Sequence, residues 1–135
     1  LTPHLGEFSQ MIGIESNLIE KDILSYGKDF AIKYKCILVL KGAPTIIFNQ
    51  SGEAFINMTG NSGMAKFGSG DVLTGVIAGI LSQNKSPEIA AIAGVYLHSL
   101  SADLLLSEKP IYNYLASDIM NNYSAAVKFL EGSIV

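Results

Sequence analysis

The chain has 135 residues, with nine Lys and Arg against twelve Asp and Glu, a formal net charge of −3 and 49% hydrophobic residues. That length suits one ordinary domain, and the composition excludes a disordered chain. Only 16% of the residues are charged, against about 25% in a typical soluble domain, so part of the surface is expected to be buried against something else. No basic block exists, which argues against a nucleic-acid binder. The single cysteine, Cys36, excludes an internal disulfide and a cysteine metal cluster, and it fits a reducing cytoplasm. His4 and His98 lie far apart without neighbouring ligands, so no protein metal site is expected. The apolar stretches Val72–Leu81 and Ile89–Leu97 each reach about half the length of a membrane span. Leu1-Thr2-Pro3-His4 has neither the basic nor the apolar region of a signal peptide, and no membrane association is expected.

In chain order, Thr2 to Glu7 reads as a turn, with a short helical piece from Glu7 to Ile12. Ser16 is placed to cap a helix whose apolar face is Ile19, Ile23, Tyr26, Phe30 and Tyr34. Cys36 to Leu40 is a continuous apolar run, the pattern of a strand buried on both faces. Lys41-Gly42-Ala43-Pro44 breaks it. Thr45 to Phe48 and Glu53 to Asn57 are two further strands, with Asn49 to Gly52 as the turn of a hairpin. Asn57 to Gly70 has four glycines and no period. Asp71 opens a helix to Leu81. Ser86-Pro87-Glu88 supplies a cap, a first-turn proline and a first-turn acid for a helix ending near Leu106. Ser117-Asp118 start the last helix. Three strands and four substantial helices make a thin α/β sheet, expected to be continued by chain elsewhere.

The segment that carries chemistry is Asn57 to Gly75. A glycine-rich loop runs straight into a helix, whose first N–H groups and dipole attract anions. Gly68 and Gly70 allow close backbone approach to a phosphate. The spacing is neither a P-loop nor a dinucleotide fingerprint, because Leu73 stands where the third glycine is needed. Asp71 would repel a phosphate held in the same place. One use for that conflict is a base that takes a proton from an acceptor hydroxyl while the amides hold the transferred group; the alternative is a plain helix cap.

Gly68-Ser69-Gly70-Asp71-Val72-Leu73-Thr74-Gly75 resembles the phosphate-loop signature of the ribokinase-like superfamily. Thr2-Pro3-His4-Leu5-Gly6-Glu7-Phe8, Leu40 to Thr45, Asn57 to Ala65, Gly94-Val95-Tyr96-Leu97-His98 and Ala116-Ser117-Asp118 follow the same order as blocks of one family. Together the six blocks resemble the ADP/ATP-dependent NAD(P)H-hydrate dehydratases over nearly the whole chain. The resemblance implies a ribokinase-like α/β/α three-layer fold, of which residues 1–135 would be the C-terminal portion of a single domain. It also implies repair of hydrated NADH or NADPH, with ADP or ATP and Mg²⁺ as cofactors. The partners implied are the hydrate and the nucleotide, with a homo-oligomer or a missing N-terminal half completing the molecule.

By position, Asp71 matches the hydrate-contacting residue and likeness makes it the base, and His4 matches a hydrate-binding residue. Lys41, Gly42, Ala43, Pro44 and Thr45 match a nucleotide-binding loop. Gly68, Ser69 and Gly70 match the phosphate mouth, and Thr59 and Asn61 line the nucleotide pocket. Blander readings stand beside these: Lys41 as a solvated loop charge, His4 as a turn residue, Thr59 and Asn61 as loop-internal hydrogen bonders. His98 reads as a satisfied buried histidine. The chain departs from the family pattern at Leu5 and Ser62, where proline is usual, and at Lys66-Phe67, where Thr-Gly is usual. Phe67 is expected to stiffen the loop beside the mouth. Two competing functions are a related kinase for a vitamin-precursor alcohol and a non-catalytic half-domain.

Overall fold

The computed structural model describes residues 1–133; the last two positions of the expected 1–135 span lie outside the described residues. The chain forms two compact units, Leu1–Met58 and Thr59–Val135.

In the first unit, Leu1 to Pro3 run parallel to β1 (Leu38–Leu40). The Val39 N–H donates to the Leu1 carbonyl and the Lys41 N–H to the Pro3 carbonyl, both at 2.8 Å. Parallel neighbours need a long crossover, which here is α1 (Leu5–Ile12), α2 (Ser16–Lys21) and α3 (Ile23–Tyr34). Antiparallel pairing then adds β2 (Thr45–Phe48) and β3 (Ala54–Asn57) in the order β1-β2-β3. Leu38, Leu40, Ile46 and Phe48 face the helices and pack with Phe8, Ile19, Phe30 and Ala31. Val39 and Ile47 alternate to the opposite face and are also buried, which explains the unbroken apolar run. Asn49 holds the β2–β3 turn: its side-chain oxygen accepts from the Ser51 and Glu53 N–H groups at 3.0 and 2.9 Å.

The single helix expected behind Ser16 is two. Asp22 has φ −147° and ψ 52°, which is not helical, and its carboxylate accepts from the Ser25 N–H at the start of α3. The apolar period survives because the break does not turn the buried face away from the core. Glu15 rather than Ser16 occupies the capping position, and it makes no side-chain bond there. The first helix also starts earlier than Glu7, because His4 caps it at Leu5.

In the second unit, a 3₁₀ turn at Ser62–Met64 interrupts the glycine-rich loop before α4 (Ser69–Asn84). α5 (Pro87–Leu104) follows behind the Ser86 cap, and then α6 (Ala116–Asn121) and α7 (Tyr123–Gly132). The last expected helix is thus also split, at Asn122, whose side-chain amide donates to the Ser101 carbonyl at 2.9 Å. α4 and α5 approach closely at Gly94, where a Cβ would lie 2.6 Å from Ile77 Cγ1. Below them Ala102, Leu105, Tyr114 and Ile119 form a core cluster.

The apolar run Ile89–Leu97 belongs to a longer helical stretch than its length suggests. Pro87–Ser107 spans 21 residues with a mean hydropathy of 1.6, long and apolar enough to cross a membrane. Over half of its apolar window is buried by the rest of the protein. His98, Ser99 and Ser101 are buried within it and hydrogen-bonded, the pattern of a core helix.

Two glycines test this packing in opposite directions. A Cβ on Gly27 would lie 2.3 Å from Phe48 Cε2. Gly27→Ala is expected to destabilise by about 1–3 kcal/mol through overpacking. A Cβ on Gly79, in mid-α4, meets nothing within 4 Å, so Gly79→Ala is expected to stabilise by about 0.5–1 kcal/mol. Urea unfolding midpoints of the two variants measure both.

Candidate active site

Pairing of Leu1–Pro3 with β1 sets His4 beside Lys41 as a parallel bridge. His4 caps α1 reciprocally: its Nδ1 accepts from the Glu7 N–H at 3.2 Å, and its own N–H donates to Glu7 Oε2 at 2.7 Å. The imidazole Nε2 lies 3.3 Å from Glu7 Oε1, and the Lys41 ammonium lies 3.6 Å from Glu7 Oε2. The bond from the His4 N–H is the main cause that holds the Glu7 carboxyl below the usual carboxylate range, with Lys41 and His4 adding to it. His4 remains exposed. The first unit therefore offers an exposed imidazole and an ammonium already partnered by an acid.

Gly42 to Pro44 form the loop after β1, with a cis peptide bond between Ala43 and Pro44. Thr45 closes it: its hydroxyl donates to the Gly42 carbonyl at 3.1 Å. Gly42, Ala43 and Pro44 are exposed.

In the second unit, the glycine-rich loop is fastened to α5. The Asp103 carboxylate accepts from the Gly60 N–H at 2.7 Å and from the Asn61 side-chain amide at 2.9 Å. That amide also donates to the Ala102 carbonyl at 3.0 Å, while the Asn61 side-chain oxygen accepts from the Gly63 N–H. Thr59 Oγ1 lies 2.6 Å from Ser99 Oγ. The polar atoms of Asn61 and the Thr59 hydroxyl thus hold the loop. Gly60 and Gly68 have φ of 107° and 84°, conformations that favour glycine. Phe67 is fully exposed, as is the neighbouring Lys66 side chain in large part.

α4 begins at Ser69, two residues before Asp71. A helix leaves its first N–H groups without helical acceptors. The Ser69 N–H finds the Lys66 carbonyl at 3.2 Å, which leaves Gly70 and Asp71 as the amides presented at the mouth. Asp71 is exposed in the first turn, and a groove of about 550 Å³ runs from it along α4 past Gly75, Val76, Gly79 and Ile80 to Tyr123. The Ser69 side chain points inward instead: its Oγ lies 3.1 Å from His98 Nε2.

His98 is 3% exposed and satisfied at both nitrogens, the second by the Tyr123 hydroxyl at 2.9 Å. Burial pushes its pKa down to about 4, and burial pushes the Tyr123 phenol up to about 12. His98 is therefore a neutral imidazole at neutral pH.

The structure brings His4, Glu7 and Lys41 together in the first unit. In the second it groups Thr59 and Asn61 with Asp103 and Ser99, and Gly68 to Asp71 with His98 and Tyr123. Glu7 and Asp103 are absent from the expected site. His4-x-x-Glu7 has the spacing of a capping box, but with histidine where serine or threonine is usual, so only the reciprocal bonds reveal it. Asp103 has no comparable local signal, since its partners lie more than 40 residues away.

Residues 1–124 match the family model of NAD(P)H-hydrate dehydratase. The chain belongs to the NAD(P)H-hydrate dehydratase family. It is 40% identical over 119 residues to the ADP-dependent (S)-NAD(P)H-hydrate dehydratase of Bacillus subtilis, covering 88% of this chain and 43% of that protein. It is 38% identical to the bifunctional NAD(P)H-hydrate repair enzyme Nnr of Moorella thermoacetica, covering 99% of this chain and 25% of that one. The crystal structure of the Bacillus subtilis ADP/ATP-dependent enzyme, co-crystallised with ATP and Mg²⁺, aligns with a TM-score of 0.90 at 38% identity, over 95% of this chain and 46% of that chain. A ribokinase-like superfamily protein of Enterococcus faecalis aligns with a TM-score of 0.78 at 37% identity, over 95% of this chain and 43% of that one. The fold is accordingly the ribokinase-like α/β fold of the dehydratase family. The chain spans less than half the length of these relatives.

The buried imidazole yields a pH prediction for this family member. An unfolded histidine titrates near 6.5 and His98 near 4, so the unfolded chain binds the extra proton first. The contribution is whole above about pH 6.5 and is lost as pH falls toward about 4. It is on the order of 3 kcal/mol. The difference in unfolding free energy between wild type and His98→Gln, measured across that window, is expected to fall with falling pH.

Proposed function

We propose that the domain to which these residues contribute carries out nucleotide-dependent dehydration of hydrated NADH or NADPH. The single observation that supports this most is the start of α4: two N–H groups, of Gly70 and Asp71, left without helical acceptors, with an exposed carboxylate in the same turn. Family membership over residues 1–124 supports a hydrated nicotinamide as the substrate of that arrangement.

In this reading the terminal phosphoryl group of ADP or ATP sits against the Gly70 and Asp71 amides. The hydroxyl oxygen of the hydrate attacks phosphorus and the bond to the nucleotide breaks, releasing AMP or ADP. The hydroxyl proton passes to the Asp71 carboxylate. Phosphate then leaves with the C–O bonding pair, and the adjacent carbon gives up a proton to the departing phosphate or to water, which restores the ring double bond. Phosphate is a far better leaving group than hydroxide, so the nucleotide drives the elimination. Phosphoryl transfer has a loose transition state, in which placement and charge stabilisation outweigh the strength of the base. His4 is the hydrate-binding residue of this reading. Lys41 to Thr45, Thr59, Asn61 and Gly68 to Gly70 form the nucleotide side; Thr59 and Asn61 support it by shaping the loop rather than by free polar atoms.

Mg²⁺ belongs to this reading as a companion of the nucleotide. Among the described residues no group of three or more His, Cys, Asp and Glu could hold a metal. In this reading the ion would be held through phosphate oxygens and water, with the exposed Asp71 carboxylate in the first turn of α4 within the same region. Mg²⁺ neutralises phosphate charge when bound. The free Cys36 thiol supports a reducing, cytoplasmic setting. Completion of the pocket by the rest of the domain, or by a second copy of the chain, belongs to the same proposal.

Asp71→Asn tests the assignment. It is expected to keep ADP binding, read by titration calorimetry. Turnover, read as the returning near-ultraviolet absorbance of the reduced nicotinamide, is expected to fall by about 10²-fold or more. Near-normal turnover would remove Asp71 from the mechanism. Accumulation of a stable phosphoester instead of NADH would point to a kinase.

A further inference from the structure

The Ser69 side chain does not cap its own helix. A serine at the head of a helix can satisfy itself on local backbone, yet Ser69 Oγ turns inward to His98 Nε2 at 3.1 Å. His98 belongs to α5, and its Nδ1 lies 2.9 Å from the hydroxyl of Tyr123, the first residue of α7. The three groups form one chain across three helices and end in the turn that presents Gly70 and Asp71. Ser69 and His98 are 8% and 3% exposed. A buried polar chain of this kind is rigid only while each member is satisfied. Both imidazole nitrogens are used, so the ring cannot turn without losing a bond at each end. The ring is also uncharged at neutral pH, because burial lowers its pKa. It therefore holds Ser69 without adding a fixed positive charge behind the mouth.

We propose that His98 is a positioning residue for the phosphoryl-binding turn: tethered to Tyr123, it fixes Ser69 and thereby aims the Gly70 and Asp71 amides. This rests on the dehydratase reading for the identity of the anion, but the alignment of the turn exists without any ligand. His98 touches no substrate. Its effect passes through Ser69, so a loss of the Nε2 bond should matter more at the mouth than a loss of the Nδ1 bond.

Two amide substitutions separate the bonds. His98→Gln places an amide near the Nε2 position and can keep the Ser69 bond. His98→Asn places one near the Nδ1 position and can keep only the Tyr123 bond. His98→Asn is also one methylene group smaller than His98→Gln and leaves the larger gap, so Ser69→Ala, which removes the Nε2 bond and leaves the imidazole in place, controls for lost packing and is expected to behave as His98→Asn does. Two readouts are taken on the full chain. The first is hydrogen exchange of the Val72 and Leu73 amides without ligand; Val72 bonds the Gly68 carbonyl at 3.0 Å. The second is affinity for ADP, with adenosine as the control that lacks phosphates. The expected result is lost protection and about tenfold weaker ADP binding in His98→Asn, with both largely retained in His98→Gln and adenosine affinity equal throughout. Equal losses in the two variants, in either readout, would overturn the proposal. If wild type binds no ADP while the protection of Val72 and Leu73 still splits as expected, the dehydratase reading fails and the positioning role of His98 stands.

Discussion

Residues 58–68, between β3 and α4, pair with no strand and need some other source of order, and here it is one carboxylate. Asp103 reaches from α5 to the Gly60 N–H and the Asn61 side chain. Asn61 in turn holds the Gly63 N–H and the Ala102 carbonyl. Tyr114 closes the other side: its ring lies where a Cβ on Gly63 would be, 2.6 Å away, and its hydroxyl donates to the Ala102 carbonyl at 3.0 Å. Buried polar groups are costly unless paired, and no buried side-chain nitrogen or oxygen among the described residues lacks a partner. The loop is thus delivered to α4 in one conformation, which is what an anion site built from backbone amides requires.

The two histidines show how differently one residue type can be used. His4 is exposed and spends its ring on the start of α1, beside Glu7 and Lys41. His98 is buried and spends both nitrogens on linking helices. The ammonium of Lys41 is not a bare charge waiting for a phosphate, since Glu7 stands 3.6 Å away. A nucleotide drawn to Lys41 would have to compete with that exposed, screened pair, which is weak in water.

Much of this fold was legible in the sequence, for reasons that are local. The run Cys36 to Leu40 exposed a buried strand because both faces of β1 are covered. The turn residues Asn49 to Gly52 marked the hairpin, and Ser86-Pro87 marked the head of α5. What stayed hidden depends on distant partners. Asp22 and Asn122 break helices whose apolar period runs on undisturbed. Asn122 is diverted by the Ser101 carbonyl, 21 residues away in sequence. The glycine-rich turn into α4 was readable from its spacing, and the imidazole behind it was readable as buried and satisfied. That the satisfied partner is Ser69, inside the mouth itself, required knowing how α4 and α5 lie together.

The close approach of those helices has an evolutionary reach. At position 94 even a methyl group would meet the flank of Ile77, so the two rods touch there almost without intervening side chain. Their spacing is then set by backbone rather than by exchangeable packing residues. Substitutions on the solvent face of either rod leave this crossing untouched, whereas any side chain at position 94 must push the rods apart, and with them the aim of everything mounted at their ends.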